Sequence, residues 1–285
     1  MTHETFSAET GGETLRGWVR GEGTPVLLLH GGPGLSFGYL EQIAADIGTA
    51  GFRVAAFQQR GLEPSTLSGP FTIDQAIGDV VAVLDALGWK RALLVGHSWG
   101  GSLVLFVAGA RPERMSGGLA IDPIGLIGDG GIASFAAEMA ARLSPGRAAR
   151  VREIDRLEAE SRASAERSLE GLSLYWSAYF ADPAAAPKMP EMRLCTEANQ
   201  SLIGELALRS PAAASRLADN TVPLTLLAGA SSPIPWGQAC QATANVCACA
   251  TVTVVQGAGH FPWHEAPGCV RAALLELHGR AASAR

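Results

Sequence analysis

The chain has 285 residues, 47% of them hydrophobic, enough for one large domain with an insertion or two small ones around a substantial core. A formal net charge of -5 leaves no basic excess to neutralise phosphates, which argues against a nucleic-acid or anionic-membrane surface. No apolar run reaches membrane-spanning length, and Met1-Thr2-His3-Glu4-Thr5 carries neither a basic start nor an apolar core, so the expectation is a cytoplasmic protein.

Residues 6–20 alternate weakly around Gly11-Gly12, the pattern of a hairpin at a sheet edge. Residues 26–29 are continuously apolar, as in a strand buried on both faces, and open into His30-Gly31-Gly32-Pro33-Gly34, a loop whose glycines expose backbone N–H groups. A helix over residues 39–47, a buried strand over 52–57 and the loop Gln58-Gln59-Arg60-Gly61 follow. Ile73, Ala76, Ile77, Val80, Val81, Leu84 and Leu87 recur at three-and-four spacing and predict a second helix. Residues 91–95 then form an apolar strand, Gly96-His97-Ser98-Trp99-Gly100 a tight turn, and residues 103–110 an apolar helix. A short strand over 117–121 ends at Asp122-Pro123, where proline stops any continuation.

Beyond Asp122 the pattern turns helical and charged, with no strong strand run as far as Asn220. Arginine and glutamate interleave over residues 150–166, a solvated helix face. Tyr175, Trp176, Tyr179 and Phe180 stand at helical spacing, and Pro187 and Pro190 break the chain before a helix over 197–208. The strand rhythm returns at 224–227, ending in Gly229-Ala230-Ser231-Ser232-Pro233, and at 252–255, ending in Gly257-Ala258-Gly259-His260-Phe261-Pro262-Trp263, with a last helix over 270–278. The resulting organisation is an α/β core of residues 1–122 and 221–285, with a mostly parallel sheet covered by helices on both faces, and an inserted helical lid of residues 123–220. Ligands of such sheets gather beyond the carboxyl ends of the strands, the edge that holds Ser98, the His30 loop, Asp122 and His260.

The five cysteines, Cys195, Cys240, Cys247, Cys249 and Cys269, are odd in number and form no C-x-x-C pair. They read as buried free thiols, with neither a disulfide framework nor a zinc site, and no metal or cofactor is expected.

In a G-x-S-x-G turn the chain reverses sharply from strand to helix and leaves the serine oxygen clear, which makes Ser98 the candidate nucleophile. A hydroxyl needs a base, and an imidazole serves at neutral pH. His260, on a glycine-flanked loop, is free to point across the strand edge. His3 and His278 lie near the termini, His30 and His97 shape loops, and His264 follows at the start of the last helix. His30-Gly31-Gly32-Pro33-Gly34, Gly96-His97-Ser98-Trp99-Gly100-Gly101 and Gly259-His260-Phe261 resemble the α/β-hydrolase superfamily, specifically its proline-iminopeptidase-like branch. The resemblance covers most of the core and implies that fold, a lid, and a serine–histidine–acid triad.

Two departures qualify the resemblance. That family places its acid in a Gly-x-x-Asp turn after the seventh strand, and here the turn reads Gly229-Ala230-Ser231-Ser232. A carboxylate is available at Asp122, one strand away; adjacent strand ends are about 5 Å apart, so it can reach the same imidazole. This placement resembles the zearalenone-lactonase-type hydrolases, whose acid follows the sixth strand. A helix cap or turn former ahead of Pro123 is the other reading of Asp122. The family's Asp-Gln-Arg-Gly is also replaced by Gln58-Gln59-Arg60-Gly61. Backbone N–H groups of Trp99 and Gly32 are the expected oxyanion donors. His30, Trp176, Tyr179, Glu197 and Phe261 are assigned to substrate contact, Glu197 as the lid carboxylate for a free amino terminus.

The expectation is a cofactor-free serine hydrolase acting on a small-molecule ester or lactone through Ser98, His260 and Asp122, with no nucleic-acid or membrane partner. The alternatives are an iminopeptidase-like amidase and a noncatalytic binding protein on the same fold. Fold alone names no substrate, and the oligomeric state is not legible.

Overall fold

Gly11 and Gly12 adopt left-handed φ angles of 61° and 82°. They close a two-residue turn between strands β1 (Glu4–Thr10) and β2 (Glu13–Arg20), which pair antiparallel in unbroken register from Glu4 opposite Val19 to Thr10 opposite Glu13. This hairpin is one edge of an eight-stranded sheet formed by the described residues, 3–160 and 164–283 of a computed structural model. The remaining strands are β3 (Thr24–Leu29), β4 (Phe52–Phe57), β5 (Ala92–His97), β6 (Met115–Ile121), β7 (Leu224–Gly229) and β8 (Ala250–Val255). Their order is β1-β2-β4-β3-β5-β6-β7-β8, antiparallel from β1 to β4 and parallel from there on.

Leu27, Leu28 and Leu29 are wholly buried because helices cover both sides. Helices α1 (Glu41–Gly48) and α10 (Cys269–Ser283) pack on one face, bringing Ile43, Ile47, Leu274 and Leu277 against Leu28, Val54 and Leu119. On the other face lie α2 (Ile73–Ala86), α3 (Trp99–Ala110) and α7 (Thr196–Ala218), with Val80, Leu103, Leu206 and Leu217 against Leu27, Leu94 and Leu226. Burying one such leucine is worth about 1.5–3 kcal/mol. A bidentate ion pair links Arg60 of the Gln-Gln-Arg-Gly loop to Asp79 on α2 at 2.7 and 2.8 Å, both side chains buried.

Between β6 and β7 the described chain is helical: α4 (Ile132–Ala141), α5 (Pro145–Ala159), α6 (Ala165–Tyr175), a 3-10 turn over Trp176–Tyr179, and α7. The stretch of Arg and Glu over residues 150–166 extends beyond α5 into residues 161–163, which lie outside the described residues. The segment 123–220 is not uniform. Ile154, Gly171, Tyr175 and Trp176 roof a cavity over the strand ends, whereas the second half of α7 packs Ala213, Ala214 and Leu217 into the core beside α3. Helix α7 runs ten residues past the sequence expectation because its later turns are set by that packing, even across Pro211. A single turn, α8 (Ala242–Ala244), leads towards β8, and another, α9 (Pro262–Glu265), follows it. No helix among the described residues is long and apolar enough to cross a membrane.

Candidate active site

Ser98 occupies the turn between β5 and α3 at φ 54° and ψ -120°, a conformation that costs a non-glycine residue of order 1–3 kcal/mol. The chain folds so tightly there that a Cβ on Gly96 would sit 2.0 Å from the Gly100 oxygen, and one on Gly100 would sit 2.1 Å from the Leu29 oxygen. The Ser98 N–H donates to the Ile121 carbonyl at 2.8 Å, which pins the turn to the end of β6. The Trp99 N–H, first in the helix, lacks an intrahelical acceptor and belongs to the positive end of α3.

Beside it, the glycine loop is held from below. His30 is fully buried; its Nδ1–H donates to the Gly31 carbonyl at 2.9 Å, and its Nε2 accepts the Gln59 N–H at 3.0 Å. Burial pushes its pKa down to about 4. The Gln59 side chain donates to the His30 carbonyl and accepts the Trp99 indole N–H, at 2.9 and 2.8 Å. The Gln58 amide accepts the Phe37 N–H and donates to the Leu35 carbonyl. The glutamines of the altered loop therefore support both the glycine loop and the turn at Ser98.

A second chain of hydrogen bonds runs along the site. The Gly31 N–H donates to the Tyr39 hydroxyl at 2.6 Å, the hydroxyl donates to His97 Nδ1 at 3.0 Å, and His97 Nε2–H donates to the His260 carbonyl at 2.9 Å. The carbonyl can only accept, so it fixes the His97 tautomer and with it the direction of the Tyr39 hydroxyl. Burial, then the facing His260, hold the His97 pKa well below the ordinary value.

His260 follows β8 and is 4% exposed. Its Nδ1 lies 2.5 Å from Asp122 Oδ2. Asp122 stands at the end of β6 with φ 46°, a left-handed conformation that aspartate tolerates better than most residues. Its Oδ2 also accepts the Ser232 hydroxyl, and its Oδ1 accepts the Gly229 N–H at 3.3 Å. Ser232, in the position where a carboxylate was expected, thus serves as a donor to the carboxylate one strand away. Burial raises the Asp122 pKa against the pull of these donors, and burial pushes His260 down to about 3, leaving the imidazole a neutral base. Glu265 fixes the histidine loop by accepting the Gly259 N–H at 2.7 Å and the Ala181 N–H at 2.8 Å. The His260 N–H donates to the Tyr179 carbonyl at 2.7 Å, and the Tyr179 ring stacks on the imidazole with centroids 5.1 Å apart.

Ser98, His260, Gly32 and Trp99 all line one cavity of about 290 Å³, floored by the strand ends and roofed by α5, α6 and the following turn. Of the residues assigned to substrate contact, Trp176, Tyr179 and Phe261 line it. His30 does not: both its ring nitrogens are engaged beneath the loop, so its role is support. Glu197 does not either, because the first turn of α7 turns that side chain to solvent. The carboxylates on the cavity wall are instead Asp155 and Glu158 of α5. Burial and then the Glu158 charge raise the Asp155 pKa. Tyr39, Gln59 and Glu265 went unassigned in the sequence, since nothing local marks a tyrosine, glutamine or glutamate that acts across 40 or more positions or from a neighbouring turn.

The family model described as "Alpha/beta hydrolase family" matches residues 26–273, and the chain belongs to that family. Among curated relatives it is 39% identical to Epoxide hydrolase B of Mycobacterium tuberculosis (strain ATCC 25618 / H37Rv) over 99 residues, 34% of this chain and 28% of that protein. It is 32% identical to AB hydrolase superfamily protein YfhM of Bacillus subtilis (strain 168) over 107 residues, 36% of this chain and 37% of that one. These matches span about a third of each relative's length. The solved structures of VinJ and of the Mycobacterium smegmatis proline iminopeptidase superpose with TM-scores of 0.74 and 0.68 at 19% and 21% identity. Coverage is 98% and 99% of this chain and 99% and 100% of theirs, a likeness of fold.

Proposed function

We propose that the chain is a serine hydrolase that cleaves a small carboxylic ester or lactone through an acyl-enzyme on Ser98. The observation that carries this reading is the 2.5 Å contact between the buried Asp122 and Nδ1 of His260, whose ring lines the same cavity as Ser98. Ser98 Oγ attacks the substrate carbonyl while His260 Nε2 takes its proton, and Asp122 stabilises the imidazolium. The tetrahedral oxyanion receives the N–H groups of Trp99 and Gly32. Its collapse expels the alkoxide, which takes the proton back from His260; water then repeats the sequence and frees the acid and Ser98.

The names of several relatives raise epoxides as substrates, and the chemistry of Ser98 argues against them here. Serine attack on an epoxide carbon leaves an alkyl ether, which has no carbonyl for water to attack, so turnover would stop after one event. A carbonyl substrate has no such block. Asp155 and Glu158 on the cavity wall favour a second reading, an amide whose acyl part carries a free amine. Hydrolysis of a proline anilide faster than a matched acetyl or butyryl ester would select that reading over the first.

The test is covalent labelling by a fluorophosphonate, followed by intact mass. Wild type is expected to gain one adduct, Ser98→Ala none, and Asp122→Asn the same adduct more slowly. Folded wild type that fails to label would overturn the reading in favour of a binding protein. Labelling of Asp122→Asn at the wild-type rate would remove Asp122 from it.

A further inference from the structure

Cys247 and Cys249 lie at the far end of β8 from His260, in a turn that the mechanism does not use. The Ala250 N–H donates to the Cys247 carbonyl at 2.9 Å, so the two cysteines occupy the first and third positions of a β-turn. Their sulfurs approach to 3.1 Å. The Asn220 side-chain amide donates to Cys249 Sγ at 3.2 Å and reaches Cys247 Sγ at 3.8 Å. Cys249 Sγ faces the Val222 and Asn220 carbonyls at 2.9 and 3.2 Å, acceptors for an S–H. Behind it, Arg280 donates to the Cys249 and Leu224 carbonyls and holds the turn against β7. Cys247 is buried, Cys249 is half-buried, and the intervening Ala248 is exposed, so the pair meets solvent at Cys249.

We infer that Cys247 and Cys249 form a reactive dithiol that takes a low-molecular-weight disulfide as oxidant and closes to an intramolecular disulfide. The Asn220 amide faces both sulfurs and the Val222 and Asn220 carbonyls face Cys249 Sγ, so the pair is surrounded by partners for one thiolate and one thiol. The Cys249 hydrogen bond, opposed by burial, lowers the Cys247 pKa to about 6, and the neighbouring sulfur raises that of Cys249. The two sulfurs therefore titrate as a pair, the first proton leaving more readily than the second. In the first step Cys249, the sulfur that meets solvent, passes its proton to the neighbouring Cys247 sulfur and attacks one sulfur of glutathione disulfide, forming a mixed disulfide and expelling glutathione thiolate. In the second, the Cys247 thiol loses its proton and attacks the Cys249 sulfur of the mixed disulfide, breaking its bond to glutathione. The second glutathione leaves as thiolate and takes up that proton. Two protein thiols are oxidised and one glutathione disulfide is reduced. Closure needs the sulfurs to move from 3.1 Å to about 2.05 Å. The short turn keeps the resolving thiol beside the mixed disulfide throughout.

The experiment is incubation of the reduced full-length chain with glutathione disulfide, alkylation with iodoacetamide, and peptide mass spectrometry. The expected product has lost two hydrogens, carries a Cys247–Cys249 disulfide, and leaves Cys195, Cys240 and Cys269 alkylated. Cys247→Ser and Cys249→Ser are each expected to stop at a retained glutathione adduct or not to react. Asn220→Ala, which keeps both thiols, is expected to close several-fold more slowly, with its pH dependence moved upward. Full alkylation of both cysteines after incubation would overturn the inference, as would a wild-type adduct that persists without closing or a disulfide joining other cysteines.

Discussion

At the scale of single residues, the proposed triad takes its carboxylate from the end of β6. Asp122 ends β6 and Ser232 follows β7, yet both address one point, since the Ser232 hydroxyl, the His260 ring and the Gly229 N–H converge on the two Asp122 oxygens. Asp122→Asn is expected to lower kcat by about 10²- to 10⁴-fold on an activated ester, because the amide no longer fixes the histidine tautomer. Combining it with Ser232→Asp places a carboxylate back within reach. A recovery of about 10-fold over Asp122→Asn alone is the expected outcome, measured as the coupling in a double-mutant cycle. No recovery would mean that the β7 turn does not aim at the imidazole. Tyr39 acts at one remove: it accepts the Gly31 N–H and orders His97, which in turn holds the His260 carbonyl. Tyr39→Phe leaves that N–H and His97 Nδ1 without partners, at a cost of about 1–3 kcal/mol. The expectation is a several-fold loss of kcat with KM unchanged, and a change confined to thermal stability would remove the positioning role.

At the scale of elements, the reversal from β5 to α3 leaves no room for a side chain at Gly96 or Gly100. Gly100→Ala would drive a Cβ to 2.1 Å from the Leu29 backbone oxygen, and backbone at the centre of the sheet cannot yield as a side-chain tip can. A destabilisation above about 4 kcal/mol, or loss of soluble protein, is expected from urea unfolding of this variant. The same elements explain what was legible. Strands β3 to β7 read as apolar runs because they are buried on both faces, and the β1–β2 hairpin read from Gly11-Gly12, whose φ angles only glycine adopts freely. The extent of α7 did not, since its last turns carry alanines that become core only by meeting α3. Nor did the neighbours of the cavity: Glu197 and Asp155 are both helix carboxylates in the sequence, and only the direction of each helix separates the one in solvent from the one on the cavity wall.

At the scale of the whole molecule, three histidines are folded in as neutral rings. Burial holds His30 at about 4, His260 at about 3 and His97 well below 6.5. Unfolded, each binds a proton near pH 6.5, so below that pH the unfolded state holds more protons and stability falls as pH falls. Each contributes a slope of up to about 1.4 kcal/mol per pH unit within the window where only the unfolded state is protonated. Asp122 works in the opposite sense: its raised pKa stabilises the fold at low pH and that contribution is lost as pH rises, offsetting part of the histidine term. The net expectation is full stability above pH 6.5 and a steady loss between pH 6.5 and pH 4, read as a falling urea midpoint. A midpoint unchanged across that window would mean that the histidines protonate within the folded chain.

What the sequence by itself determined is the set of local facts: apolar runs that must be buried, glycines where the backbone reverses, and a serine in a turn too tight for side chains two residues either side of it. From these the α/β sheet, its hydrolase-like turn and the helical insertion follow, because each depends on residues adjacent in the chain. Only the tertiary structure decided which polar groups meet. Asp122 reaches His260 across 138 positions, Gln59 reaches Trp99 across 40, and the carboxylates of the cavity wall come from α5. Hydrogen bonding acts over a few ångströms, whichever residues the fold places there, and sequence separation carries no record of that distance.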